Sequence, residues 1–221
     1  MNAASARLAS LRHLLAERFP TVPRRAGRLL VTGIPALDQP RGGLPLGAVT
    51  ELVASCPSSG SHLVLARLLA LTRTQRQRAA LVDAGDCFDP GSLPEDDLVH
   101  LVWVRCRSAA QAVQAADLLA RDANLDLVCL DLRYAAPADL QRIASSQWYR
   151  LQRAAEPADL ALLVLTPHVC VPCAEVRFVL DRSHPLAVLG TERPQLTPRL
   201  NATLDRQRRS QNSRAIRCRR V

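Results

Sequence analysis

Short apolar segments alternate with helical segments along most of this chain, and this alternation restricts the fold more than any other feature. Several segments rich in Val, Leu and Ala are predicted strands: residues 48–54, 79–84, 98–105, 125–132 and 160–166. Segments with apolar residues at helical spacing lie between them: residues 61–75, 108–121 and 137–155. Strands that are apolar on both faces and are joined by helices indicate an α/β fold, with a mostly parallel sheet flanked by helices.

The two ends of the chain differ from this core. Residues 174–181 and 186–190 are predicted to be a closing pair of strands, which gives the sheet a C-terminal antiparallel extension. Near the start, leucines at helical spacing predict an amphipathic helix over residues 4–19. Residues 199–221 show no apolar periodicity and are expected to be disordered in isolation. The predicted organisation is a helix and linker over 1–24, a core over 25–198 and a tail over 199–221.

The positive charge of the chain is concentrated in that tail and is carried by arginine alone. The net charge is +9, and all 29 basic residues are arginine. One dense cationic segment holds most of the excess: Arg206, Arg208, Arg209, Arg214, Arg217, Arg219 and Arg220. Guanidinium groups suit phosphate and carboxylate partners. The tail is therefore expected to contact either nucleic acid without sequence preference or an acidic surface on a partner protein, with a solvated tail as the alternative.

Cysteine usage and hydropathy favour a cytoplasmic protein that does not associate with membranes. The chain has seven cysteines, an odd number, and several lie in apolar strand-like segments. Such thiols behave as small hydrophobic side chains in a reducing compartment. No apolar run reaches the ~18 residues that a membrane-spanning helix needs. Charged residues interrupt the N-terminal segment, which is therefore unlike a secretory signal.

One short segment contains residue types that bind zinc: His168, Cys170 and Cys173. A structural zinc ion needs four ligands, usually from two such pairs. This chain offers one pair, and Cys218 lies far away in the tail. The sequence therefore predicts a structural loop without a metal ion. It also contains no nucleophile, base and orienting acid in a pattern that would predict catalytic residues.

A loop at residues 53–62, with the sequence VASCPSSGSH, joins a predicted strand to a predicted helix. Phosphate-binding loops in this position use glycines to turn N–H groups toward phosphate, a lysine to reach the β- and γ-phosphates, and a hydroxyl to hold Mg²⁺. Here Gly60 remains, but Ser61 stands at the lysine position and His62 at the hydroxyl position. The chain contains no lysine that another segment could supply, and Arg67 lies beyond the loop.

The order of features from residue 32 to residue 181 resembles the core of RecA recombinases. The matching positions precede or form the loop: Thr32, Gly33, Leu37, Asp38, Gly42, Gly43, Leu44, Pro45, Gly47, Glu51, Ser58, Ser59 and Gly60. Downstream, LVDAGDCFDP resembles the second core strand of that family, and LDLVCLDL resembles its Walker B strand. The resemblance covers most of the chain and implies a RecA-like core.

The same resemblance implies a degenerate ATP site. Ser55 replaces the first loop glycine, and Gly85 stands where a glutamate would orient the attacking water. Asp131 keeps the Walker B position and is expected to have a structural role, either capping a turn or pairing with an arginine. The degenerate nucleotide-site positions are Ser55, Ser58, Ser59, Gly60, Ser61, His62, Gly85 and Asp131. The two loops that bind DNA in RecA proteins are short here, and no nucleotide cofactor is expected.

Among RecA relatives, this combination of losses is similar to the ImuA family. The shared stretches include GGLPLGAVTEL, LVWVR and the group formed by Trp148, Arg150 and Leu151. The resemblance implies a non-catalytic accessory protein of SOS-induced translesion DNA synthesis. Its expected partners are an ImuB-like Y-family polymerase homologue and an error-prone replicative-type polymerase. The N-terminal helix matches the place where RecA protomers dock, so RecA or a second copy of the chain is a further expected partner.

Two other functions stay open at this point. One is a SulA-like cell-division inhibitor, which would share the degenerate RecA ancestry. The other is a RecA-like ATPase with an irregular phosphate loop. Nucleotide binding separates the accessory protein from the ATPase, and the identity of the bound partner separates it from the division inhibitor.

Overall fold

A seven-stranded sheet forms the centre of the computed structural model, which describes residues 28–122 and 124–207. Its strands are β3 (Ala48–Ala54), β4 (Ala79–Asp83), β5 (Leu101–Arg105), β6 (Leu127–Asp131), β7 (Ala161–Thr166), β8 (Val176–Leu180) and β9 (Thr203–Gln207). A separate antiparallel pair consists of β1 (Leu29–Leu30) and β2 (Leu44–Pro45). The helices are α1 (Pro35–Asp38), α2 (Ser61–Thr74), α3 (Ala109–Ala120), α4 (Pro137–Gln141), α5 (Ser145–Ala155) and α6 (Arg193–Leu196). The predicted N-terminal helix lies outside the described residues.

The order of the strands in the sheet is β5-β4-β6-β7-β3-β8-β9, and every neighbouring pair is parallel except β8 and β9. The four central strands β3, β4, β6 and β7 are buried almost throughout, because helices cover both faces. Side chains from α2 and the β1–β2 pair form the core on one face, and α3 and α5 form it on the other. The predicted α/β fold with a mostly parallel sheet is confirmed. Among the described residues, no helix has the length and apolar character to cross a membrane.

The helix predicted over residues 137–155 is in fact two helices, α4 and α5. The chain leaves helical conformation between them, and the side chain of Gln147 accepts a hydrogen bond from the N–H of Ala144 at 3.2 Å. Ser145 and Ser146 then begin α5. Serine competes with the backbone for hydrogen bonds within a helix and is favoured near a helix start, which explains the break.

The predicted antiparallel extension is present, but its second strand is not the predicted one. Residues 186–188 form a single 3₁₀ turn, and β9 from the predicted tail pairs with β8 instead. In β9, residues alternate between exposed and half-buried, with Leu204 opposite Phe178. A polar edge strand with one inward leucine carries little apolar signal, so the sequence predicted disorder there. The ordered core therefore extends beyond residue 198, and the tail beyond residue 207 lies outside the described residues.

A buried carboxylate on β3, that of Glu51, organises the loop that follows β7. Its Oε1 accepts hydrogen bonds from the hydroxyl of Thr166 at 3.1 Å and from the backbone N–H groups of Cys170 and Val171 at 2.8 and 3.1 Å. Glu51 is fully buried, so these donors replace the water that its charge has lost. The loop after β7 is thereby attached to the central strand of the sheet.

Arg177 on β8 supplies the positive charge that Glu51 needs. Its Nε donates to Glu51 Oε2 at 2.6 Å, and its Nη1 donates to Asp205 of β9 at 3.2 Å. Its Nη2 donates to the carbonyl of Val171 at 3.1 Å. One buried guanidinium therefore connects β3, the loop after β7 and the antiparallel edge strand.

We expect Glu51→Ala to lower the free energy of unfolding by about 3 kcal/mol, because Arg177 would remain buried without its main partner. The matched control is Asp96→Ala, which breaks the exposed pair with Arg73 and should leave stability nearly unchanged. Urea denaturation followed by circular dichroism measures both. Equal stability of the two variants would contradict this role for Glu51.

Candidate functional site

The loop between β3 and α2 enters the helix through two residues in left-handed backbone conformation. Gly60 has a φ of 92°, in the left-handed region that favours glycine, and Ser58 has a φ of 56°. Ser55, at the position of the first glycine, is tied to β8: both its N–H and its hydroxyl donate to the carbonyl of Leu180, at 3.2 and 3.1 Å. Ser59 and Ser61 are buried.

The guanidinium group of Arg133 connects this loop to the end of β6. Its Nε and Nη2 donate to the carboxylate of Asp131 at 2.9 and 2.5 Å, and its Nη1 donates to the Ser61 hydroxyl at 2.5 Å. The side chains of Asp131 and Arg133 are 3% and 5% exposed. The positions that resemble the Walker B aspartate and the phosphate-loop lysine are therefore joined by an internal cation.

The sequence predicted that Asp131 would cap a turn or pair with an arginine, but it did not identify Arg133 as that arginine. Burial opposes the charge on this guanidinium, but its hydrogen bond to Asp131 and the negative charge there raise its pKa above the ordinary value. The available signal was the spacing in Asp131-Leu132-Arg133. Residues two apart at a strand end lie on the same side of the chain, so an arginine there can fold back on the aspartate.

The side chains of Cys87 and Tyr134 occupy the space beside Gly85. A Cβ atom built on Gly85 would lie 2.8 Å from the Cys87 Sγ and 2.8 Å from the Tyr134 Cβ, so a larger side chain needs a rearrangement. Asp83, at the end of β4, accepts hydrogen bonds from the N–H groups of Gly85 and Phe88 at 3.1 and 2.9 Å. Asp86 is held by a two-point contact with Arg105, both distances being 2.6 Å.

His62 and Arg67 take different positions on α2. His62 is exposed at the second residue of the helix, and desolvation of its ring together with the nearby charge of Arg133 lowers its pKa. Its neutral form is thus favoured next to the buried guanidinium. Arg67 does not reach the loop, because its Nε donates to the carbonyl of Thr32 at 3.1 Å.

The segment after β8 crosses over the loop. The His184 N–H donates to the carbonyl of Ser58 at 2.9 Å, and the Ser183 hydroxyl donates to the carbonyl of Pro57 at 2.7 Å. A pocket of about 580 Å³ remains between this segment and the loop, and its lining includes Tyr134 and Leu189. These side chains are 63% and 81% exposed, so the rim of the pocket is apolar as well as cationic.

The predicted structural loop with His168, Cys170 and Cys173 is the one that Glu51 holds. His168 is exposed, whereas Cys173 is buried and its Sγ donates to the carbonyl of Trp148 at 3.2 Å. Burial and the charge of Glu51 raise the pKa of Cys170 to about 12, which keeps this thiol protonated at neutral pH.

One arginine of the predicted tail site is described, and it belongs to the sheet. Arg206 lies in β9, and its Nη1 donates to the carbonyl of Pro172 at 3.1 Å. The other arginines proposed for the tail lie outside the described residues: Arg208, Arg209, Arg214, Arg217, Arg219 and Arg220.

Comparisons with known proteins support a RecA-like class. No family model matches the chain. The RecA proteins of Francisella tularensis subsp. novicida (strain U112) and subsp. tularensis (strain SCHU S4 / Schu 4) are each 33% identical to it over 109 residues. That match covers 47% of this chain and 30% of each RecA protein, so the chain spans less than a third of their length. Among solved structures, the RadB recombinase matches with a TM-score of 0.55 and 18% identity, covering 68% of this chain and 82% of RadB.

The chain has a RecA-like fold, with weak sequence similarity to RecA over about half of its length. The narrower resemblance to the ImuA family stays a prediction.

We expect Asp131→Asn and Arg133→Gln each to lower the free energy of unfolding by about 3 kcal/mol, because each leaves a buried charge without its partner. The double variant should lose less than the sum of the two, since it removes both charges. Chemical denaturation of the four proteins of this cycle gives the coupling. The same cycle on the exposed pair of Asp86 and Arg105 is the control and should be additive. Additivity in the buried pair would contradict the contact between Asp131 and Arg133.

Proposed function

We propose that this chain is a RecA-fold accessory protein that acts without ATP in DNA-damage-induced translesion synthesis. The observation that carries the proposal is the Arg133 contact with both Asp131 and Ser61. By the resemblance to RecA proteins, a nucleotide-dependent relative would hold phosphate and Mg²⁺ at these positions, which supports the nucleotide-independent part of the proposal.

Phosphoryl transfer depends on charge stabilisation around the transferring group and on an oriented water. A metal ion held by Asp131 would have to displace a guanidinium that contacts both carboxylate oxygens. Ser61 lacks the amine that would reach the phosphates, and Gly85 lacks a carboxylate. The remaining anion-attracting feature is the start of α2, which supplies only a partial charge.

A partner protein suits the carboxyl edge of the sheet better than a nucleotide does. Besides Tyr134 and Leu189, the segment that crosses the loop exposes Leu186, which is 82% exposed. Neighbouring exposed apolar side chains beside an arginine are typical of protein interfaces. The resemblance to the ImuA family suggests an ImuB-like Y-family polymerase homologue as the partner, together with an error-prone replicative-type polymerase.

We expect the purified full chain to show neither Mg²⁺-dependent ATP binding at millimolar nucleotide, measured by calorimetry, nor ATP hydrolysis. Ser61→Lys combined with His62→Thr should stay inactive, because Gly85 provides no general base and Arg133 still holds Asp131. Micromolar ATP binding that requires Mg²⁺ would overturn the nucleotide-independent proposal and favour an ATPase with an irregular loop.

We expect the tagged full chain to retain a co-expressed ImuB-like polymerase homologue. The double variant Leu186→Ser and Leu189→Ser should reduce this retention at least about tenfold, because buried apolar anchors dominate such interfaces. Val99→Ser is the control, because Val99 is also highly exposed but lies just before β5, away from the segment that crosses the loop. Retention of the bacterial tubulin instead of the polymerase homologue would favour the division inhibitor and contradict the proposal.

The role of the tail is tested separately in the same assay. Glutamine replaces arginine at 208, 209, 214, 217, 219 and 220, while Arg206 is kept because it contacts the sheet. Loss of polymerase retention in this variant assigns the tail to the protein partner. Unchanged retention with loss of salt-sensitive DNA binding assigns it to nucleic acid.

A further inference from the structure

A second polar surface lies on α5 and at the end of α3, away from the phosphate loop. The exposed face of α5 carries residues at helical spacing: Ser146, Tyr149, Arg150 and Arg153. The opposite face packs into the core through Trp148 and Leu151. Arg121, which follows α3, joins the exposed side chains of α5 in the lining of one pocket. We call Arg121, Tyr149, Arg150 and Arg153 the α5 stripe.

Two of the three guanidinium groups are held in place by a single buried carboxylate. Asp117 is 5% exposed, and it accepts two hydrogen bonds from Arg150 at 2.9 and 2.5 Å and two from Arg121 at 3.1 and 3.2 Å. Arg150 and Arg121 use Nε and Nη2 in these contacts. Their outer Nη1 groups have no hydrogen-bond partner within the part of the chain that the structure describes. The two guanidinium planes are therefore fixed, with donors directed away from Asp117.

The charge of the stripe exceeds what Asp117 neutralises. Two of the three arginines share the one carboxylate of Asp117. The guanidinium of Arg153 has no ion-pair partner among residues 28–122 and 124–207. Arginine is charged throughout the ordinary pH range, and hydrogen bonding to Asp117 raises the pKa of Arg150 further. Tyr149 adds an aromatic ring that is 40% exposed beside these cations.

We propose that the α5 stripe is a binding site for single-stranded nucleic acid. Arg121, Arg150 and Arg153 contact successive phosphates, and one base stacks on Tyr149. Fixed guanidinium donors match phosphate oxygens, and an aromatic ring beside a cationic track accepts any base. This function goes beyond the accessory role proposed above, because the stripe lies on a helical face and not at the phosphate loop.

The lining of the pocket favours nucleic acid over an acidic protein. Apart from Ala154, each lining side chain carries a hydrogen-bond donor: Arg121, Ser146, Tyr149, Arg150 and Arg153. The aromatic ring of Tyr149 among these donors suits a base next to a phosphate, a combination that an acidic peptide does not offer. The nearby exposed Leu118 does not line the pocket.

The test measures binding of a fluorescent oligo(dT) strand to the full chain by anisotropy across a salt series. All variants carry glutamine at the six tail positions named above, so that the tail does not mask the stripe. Arg153→Glu should weaken binding and reduce the slope of log affinity against log salt by about one. Tyr149→Ala should weaken binding about fivefold or more with little change in that slope, and Tyr149→Phe should restore it.

Arg107→Glu is the matched control. It reverses an exposed charge at the opposite end of α3, about 20 Å from Arg121 by the rise of the helix, and should bind oligo(dT) nearly as the parent does. Equal losses in Arg153→Glu and Arg107→Glu, or unchanged affinity in Tyr149→Ala, would overturn the proposal. The proposal would also be overturned if the chain failed to bind oligo(dT) but bound a polyglutamate peptide, and Arg153→Glu abolished that peptide binding. Such a result would assign the stripe to acidic proteins. None of these variants changes the phosphate loop, so the outcome is independent of the ATP and polymerase experiments.

Discussion

Compensation of buried negative charge is the constraint on which the rest of this structure depends. Glu51, Asp83 and Asp131 lie on central strands and are almost completely buried. A carboxylate without partners in such a place costs several kcal/mol. Each is compensated from within the chain: Glu51 by Arg177 and backbone N–H groups, Asp83 by backbone N–H groups, and Asp131 by Arg133. These contacts set the paths of the loops at the carboxyl edge of the sheet.

Arginine suits this task in a way that lysine does not. The planar guanidinium of Arg133 contacts both oxygens of Asp131 and reaches Ser61 with its third nitrogen, which fixes three segments in one geometry. Arg177 likewise contacts Glu51, Asp205 and a carbonyl group. An ammonium group is a point charge on a flexible stem, without a fork to hold two oxygens in one plane. All basic residues of this chain are arginine, so guanidinium groups are the cations available to pair with the buried carboxylates.

The sequence predicts more of the fold than of the candidate site. Burial of entire strands on both faces leaves a clear apolar signal, so the parallel sheet and the position of α2 follow from local patterns. The strand at β9 could not be predicted in this way, because an edge strand buries few side chains and Leu204 is its one apolar residue.

The difference at the site has a different physical origin. The sequence predicted which positions correspond to the lysine, the hydroxyl and the glutamate of RecA proteins, since this correspondence depends on sequence order. It could not identify what fills their place. Arg133 is distant from Ser61 in sequence and meets it because only β7 separates β6 from β3 in the sheet. A contact created by sheet topology has no local pattern, although the spacing of Asp131 and Arg133 was visible.

An internal cation also changes how such a site responds to its surroundings. A bound nucleotide shifts a protein between conformations because it dissociates, so the occupied fraction follows its concentration. Arg133 belongs to the chain and is always present at the loop. The contacts around the loop, which include those of Ser183 and His184 with Pro57 and Ser58, are likewise made within the chain. On the proposed function, the apolar surface around Leu189 would therefore be presented constitutively, and control would have to come from the amount of protein or of its partner.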